Sequence, residues 1–158
     1  MVRGTKKFLD RVGTPTAFDA KRPDRLGDWY ANVWFWRPQV AIFVEERSLL
    51  PVLVPLAPAT SVVDRFPAVF EAIAGVLGIP SSAVQPELST MEDKVLARTA
   101  SRSVLGVMNE FGHLADNYRW RHEEIDLLAL SLWLAQIPCS PLRDRHWTPE
   151  DALRALLK

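Results

Sequence analysis

The sequence predicts an α+β fold: a small antiparallel sheet, a meander of three to four strands, with four to five helices packed mainly on one face. Three observations carry this expectation. Aromatic and β-branched residues crowd the stretch from Trp29 to Pro55 between closely spaced breakers, helical stripes dominate after Ser61, and no Rossmann-like alternation of strand and helix runs through the chain.

The first strands are expected at about Trp29 to Trp36, Val40 to Val44 and Leu50 to Val54, joined by turns near Arg37-Pro38-Gln39 and Glu45 to Ser48. Connections this short suit antiparallel neighbours, because parallel ones need a longer crossover. Pro51 cannot donate a ladder hydrogen bond, so the third strand is expected at an edge.

Ser61-Val62-Val63-Asp64 has the form of a capping box, and Phe66, Val69, Phe70, Ile73 and Leu77 behind it share one helical stripe that ends at Gly78. A second helix is expected over Ser81 to Met91, with Pro86 in its first turn or kinking it. Val95 to Ala100 reads as a fourth strand.

Ser101 or Ser103 then caps a helix to about Trp120. Its buried face is Val104, Leu105, Met108, Phe111, Ala115 and Tyr118, which leaves Gly106, Glu110, His113 and Asn117 outside. Ile125 to Ile137 is apolar nearly all round, so it is expected to be the most buried helix, with Glu123 and Glu124 at its positive end. Thr148-Pro149-Glu150-Asp151 starts a last short helix.

The 158 residues, 48% of them hydrophobic and 24% charged, fit a single domain over 1–158. Lys+Arg and Asp+Glu number 19 each, which excludes a bulk charge that would draw the whole chain to nucleic acid or an anionic membrane. The local exception is the start, where Arg3, Lys6, Lys7, Arg11, Lys21, Arg22 and Arg25 outnumber Asp10, Asp19 and Asp24. It reads as a solvated terminal segment or as an anion-binding patch. Thr14 to Asp28 reads as a loop.

Cys139 is the only cysteine, which rules out an internal disulfide and fits a reducing, cytoplasmic setting. No apolar run follows the basic N-terminus to make a secretory signal, and the most apolar stretches, Leu49 to Val63 and Ile125 to Ile137, are too short to span a bilayer. No metal site and no cofactor are expected, since His122 and His146 lack partners at ligand spacing and no nucleotide-binding motif occurs. Cys139 reads as a small buried thiol.

Alternation places Trp29, Ala31, Val33 and Phe35 on one face of the first strand and Tyr30, Asn32, Trp34 and Trp36 on the other. Aromatics on both faces suggest that one meets the helices while a loop or a second subunit covers the other; a stacking platform for single-stranded nucleic acid is the functional alternative. Thr99-Ala100-Ser101-Arg102-Ser103 lies where a strand hands over to a helix, a place suited to a phosphate or carboxylate, with Arg102 as clamp and Ser103 as hydroxyl donor, or as a mere cap. Asn109, Glu110 and His113 fall within one turn, so a carboxylate could orient an imidazole, although a solvated face gives the same pattern.

Across most of its length the chain resembles a bacterial family of uncharacterised proteins catalogued as domain of unknown function 6933. The resemblance rests on Thr5-Lys6-Lys7-Phe8-Leu9-Asp10, Asp28-Trp29-Tyr30-Ala31-Asn32, Phe43-Val44-Glu45-Glu46-Arg47 and Leu49-Leu50-Pro51-Val52-Leu53. Its sharpest marks are Arg102 through Phe111 and Pro138-Cys139-Ser140-Pro141-Leu142. The resemblance implies no activity. Relatives often carry cysteine at the place of Gly4, asparagine at that of Glu45 and serine at that of Val107, which argues against essential chemistry at those positions.

Three functions remain in view. The first is an interaction module that holds an anionic partner, nucleic acid among the options, through Lys6, Lys7, Arg102 and Ser103, with Asn109 ordering the site. The second is a hydrolase or phosphoryl-group enzyme with His113 or Glu110 as base. The third is a structural homodimer joined through Trp34 and Trp36.

Overall fold

The computed structural model describes residues 1–16 and 25–158. Its elements run β1 (Val2–Gly4), α1 (Lys6–Val12), β2 (Trp29–Trp34), β3 (Val40–Glu45), β4 (Pro51–Pro55), α2 (Val62–Val76), α3 (Ser81–Thr90), β5 (Leu96–Arg98), α4 (Arg102–Trp120), α5 (Leu127–Ala135) and α6 (Pro149–Leu156). Short 3-10 turns cover Ala59–Ser61 and Ser140–Leu142. Most of the expected Thr14 to Asp28 loop, with Asp19, Lys21, Arg22 and Asp24, lies outside the described residues.

The fold is α+β, and the sheet is mixed. Its order is β4-β3-β2-β1-β5. β2, β3 and β4 form the expected antiparallel meander, with Pro51 on the edge strand β4. β1, which the sequence pattern does not reveal, lies parallel between β2 and β5, and β5 is a parallel edge. The purely antiparallel sheet is thus corrected. A three-residue Val-Arg-Gly strand is too short to show alternation, and only pairing on both sides gives it a place.

Helices lie on both faces, which corrects the one-sided arrangement, and six of them are found among the described residues in place of four to five. On one face Trp29, Ala31, Val33, Phe43 and Val52 meet Phe8 of α1 and Phe66, Phe70 and Ile73 of α2. Phe43 and Phe66 stack with centroids 4.2 Å apart, and Trp29 sits edge-on at 5.2 Å to both Phe66 and Phe70. On the other face Tyr30, Trp34, Ile42, Val44 and Leu53 meet Val104, Met108, Phe111 and Ala115 of α4 and Leu130 and Leu134 of α5. The aromatics on both faces of β2 are therefore each covered by helices of the same chain, not by a loop or a second subunit.

The local signals are made in ways that sequence spacing only partly shows. Ser61 does not close a capping box: its Oγ donates to the Pro58 carbonyl and accepts from Arg65 Nε, and Asp64 pairs with Lys94 instead. Arg65 also reaches the carbonyls of Pro55, Leu56 and Pro58 at 2.9, 3.1 and 3.1 Å, so one guanidinium holds the turn between β4 and α2. α3 spans the expected residues, but Pro86 lies well inside it rather than in its first turn. α5 starts later than expected, at Leu127, and Asp126 caps it, accepting from Leu128 N and Ala129 N, so Glu123 and Glu124 lie before the cap. Thr148 caps α6 through Asp151 N as the sequence suggests.

The edge strand β4 is closed by a side chain. Ser131 Oγ of α5 accepts from Leu53 N at 3.0 Å and donates to the Leu127 carbonyl at 2.7 Å. Ser131→Ala leaves that buried N–H without its partner, so it is expected to lower the unfolding free energy by about 1–3 kcal/mol in urea titrations. Among the described residues no helix is long and apolar enough to cross a membrane.

Candidate functional site

Two of the sequence elements singled out for chemistry, Lys6-Lys7 and Arg102-Ser103, follow the carboxyl ends of β1 and β5. These strands are parallel neighbours, with Gly4 opposite Arg98, and each hands over to a helix at its carboxyl end. Thr5 caps α1, its Oγ1 accepting from Phe8 N at 3.4 Å and donating to Asn32 Oδ1 at 2.7 Å. Ser101, rather than Ser103, caps α4, accepting from Val104 N at 3.3 Å. α1 then packs on the Trp29 face of the sheet and α4 on the Tyr30 face. Neighbouring parallel strands whose helices leave to opposite faces open a crevice between the two helix starts.

Gly4 brings α1 close to the sheet. A Cβ there would lie 2.7 Å from Phe8 Cδ1 and 2.9 Å from Leu9 Cγ, so a side chain requires the α1 residues to shift. Arg3 binds β1 to its surroundings, donating from Nε to Asp28 Oδ2 at 2.7 Å and from Nη1 to the Arg98 carbonyl at 3.3 Å. Burial, followed by the Glu46 charge, pushes the Tyr30 phenol up, while the Arg3 guanidinium acts the other way.

The cations stand around this edge. Arg98 and Arg102 are exposed at the end of β5 and the start of α4. Lys6 is exposed and pairs with Asp10 at 2.8 Å, one turn along α1. Lys7 Nζ lies 5.5 Å and the Arg11 guanidinium 5.7 Å from the centroid of Phe35, whose ring is half exposed just beyond β2.

Arg102, Ser103 and Glu110 also share a cleft of about 430 Å³ with Gly106, Val107 and Phe111 of α4 and the segment from Ile137 to Pro141. Both of the most distinctive sequence segments, Arg102 through Phe111 and Pro138 through Leu142, thus contribute to one place. Its thiol is not a ready nucleophile, since burial, and then the Glu110 charge, push Cys139 up to about 11. Lys6, Lys7, Asn109 and His113 are not among its lining residues. Asn109 and His113 are exposed on α4, and among the described residues no hydrogen bond joins Glu110 to His113. Trp34 is buried beneath α4 beside Gly112, and Trp36 donates from Nε1 to Asp116 Oδ1 of the same helix at 2.9 Å.

Sequence reasoning missed Arg98 and Phe35. Arg98 carried a readable signal, a basic residue closing a strand four positions before Arg102. Phe35 did not, because alternation put it on the buried face of β2, and the strand ends at Trp34 before that face continues.

A family model described as Domain of unknown function (DUF6933) matches residues 1–152. No curated protein and no solved structure matches the chain.

Proposed function

The chain belongs to the DUF6933 family, whose description assigns no function, and on that premise we propose that it is a one-domain cytoplasmic module that binds an anionic, phosphate-bearing partner. The partner sits at the carboxyl ends of β1 and β5, and nucleic acid is the macromolecule to test first. The observation that carries this reading is the divergence of α1 and α4 from two neighbouring parallel strands, the position at which open sheets receive ligands.

The chemistry of the two helix starts suits an anion. Backbone N–H groups and the positive end of the α4 dipole favour negative charge. Lys6, Lys7, Arg98 and Arg102 add four cations, of which Lys6 alone has an acidic partner, Asp10, among the described residues. Ser103 supplies a hydroxyl one residue beyond Arg102. Asn32, which accepts the Thr5 hydroxyl bond, orders the start of α1, the kind of role that the sequence reading gives to Asn109. The solitary cysteine fits a reducing compartment.

Titration of single-stranded oligonucleotide at increasing salt tests the reading. Affinity falls as salt rises, and alanine at both Arg98 and Arg102 lowers the slope of log K against log salt by about 0.7 for each phosphate that is no longer neutralised. Absence of binding to RNA and DNA at low salt excludes nucleic acid. An unchanged slope in both the Arg98/Arg102 and the Lys6/Lys7 double variants places any binding elsewhere.

A further inference from the structure

At the opposite end of α4 a cavity of about 740 Å³ opens between the last turn of α4, the start of α5, the β2–β3 turn and the edge strand β4. Its size is that of small-molecule sites, which run from about 300 to 1,000 Å³. Val40 and Leu53 are buried in its floor, and Val69, Ile125, Leu127 and Leu128 are partly exposed to it. Trp36 forms one wall, fixed by its bond to Asp116 and by Trp34 at 5.0 Å.

The polar groups of this cavity are few and differ in availability. The Arg119 guanidinium lies 4.8 Å over the Trp36 ring, and neither Arg119 nor Arg37 forms an ion pair among the described residues. Of the two acids at the cavity, Asp126 is occupied with the N–H groups of α5, and Glu123 is exposed. His122 stacks on Tyr118 at 3.8 Å with Nδ1 2.8 Å from the Tyr118 carbonyl. A carbonyl only accepts, so Nδ1 carries the proton and Nε2 is left for a ligand.

We infer that this cavity is a second binding site, for a small amphipathic carboxylate whose apolar body lies against Val40, Leu53, Ile125 and Leu128 and whose head meets the Arg119 guanidinium. The apolar floor requires an apolar body, because a small inorganic anion would leave it in water. A planar guanidinium without an acidic partner matches a two-oxygen head, and the Trp36 ring beneath holds it in place. The inference is independent of the β1/β5 edge, whose cations are different residues.

Calorimetric titration with decanoate, decanol and acetate separates head from body. Decanoate is expected to bind at least about tenfold more tightly than either decanol, which lacks the charge, or acetate, which lacks the chain. Arg119→Ala, an exposed position, should remove that advantage over decanol while Arg102→Ala leaves it intact. Leu128→Trp should fill the cavity and abolish binding, with circular dichroism confirming the fold. Equal affinity for decanoate and decanol, or an Arg119→Ala variant that binds decanoate as the wild type does, overturns the proposal. So does decanoate binding that survives in a folded Leu128→Trp variant. If an amphipathic helical peptide competes for the site and decanoate does not bind, the cavity is a protein-docking groove and the inference fails.

Discussion

Phe66→Ala is expected to lower the unfolding free energy by about 3–5 kcal/mol, the largest effect expected of a single truncation in this chain. Phe66 stacks face to face on Phe43 of β3 at 4.2 Å and receives the edge of Trp29 at 5.2 Å. Its removal therefore opens a cavity lined by rigid rings that cannot collapse into it. The stacked geometry adds to the loss, since aromatic pairs contribute about 0.5–1.5 kcal/mol beyond the area they bury. In urea the midpoint should fall with little change in slope. Trp120→Ala is the contrast: the side chain is 89% exposed at the end of α4, so its loss should stay within about 0.5 kcal/mol. Equal effects of the two substitutions would contradict the packing described.

The second large effect is expected at Glu45, a carboxylate with no exposure at the end of β3. Oε1 accepts from Gly27 N at 2.6 Å, while Oε2 accepts from Arg47 N, Ser48 N and Ser48 Oγ at 3.1, 2.6 and 2.7 Å. One side chain thus closes the β3–β4 turn and ties it to the segment before β2. Glu45→Ala leaves four donors without an acceptor, and with buried donors costing about 1–3 kcal/mol each, less what water recovers at the exposed ones, a net loss of about 3 kcal/mol is expected. Glu45→Asn keeps one acceptor and should cost less than alanine.

Glu45 also sets a pH dependence. Burial pushes its carboxyl above the ordinary 4.5, and the four donors oppose that rise without cancelling it. A folded value above the unfolded one means that the folded state holds the proton more tightly. The associated stability is present in full below the unfolded value and is lost as pH climbs through the folded one. The stability gap between wild type and Glu45→Ala should accordingly narrow as pH rises above about 4.5. A gap that widens with pH would show that the donors win over burial.

How much of this was legible differs by element. The long helices were legible because their buried faces repeat at helical spacing over three or more turns, as in Phe66, Phe70 and Ile73 or Val104, Met108, Phe111 and Ala115. The antiparallel strands were legible from their short connections. The two-sided sheet was not drawn from the sequence, although Val40-Ala41-Ile42-Phe43-Val44 is apolar without alternation, as a strand buried on both faces should be. The N-terminal charges masked β1 and α1, whose evidence is only Thr5 as a cap and Phe8, Leu9 and Val12 behind it.

The candidate site shows the same division. Arg102 and Ser103 were legible from the strand-to-helix passage, and Lys6 and Lys7 from local charge. That their helices begin at the ends of adjacent parallel strands depends on β1 pairing with β5, a contact between residues more than ninety positions apart that no local pattern encodes. Asn109 and His113 were chosen for sharing a helical turn with Glu110, yet of the three only Glu110 reaches the cleft beside Pro138 and Cys139.

Amide shifts of the labelled protein during titration with pyrophosphate test the central claim most directly, because each residue near the anion reports separately. The account predicts that the largest movements fall on Thr5 to Lys7 and on Arg98 to Val104 together, and that they fade as salt is raised. Movements confined to other surfaces, or to one of these two segments alone, would contradict a shared anion site at the carboxyl ends of β1 and β5.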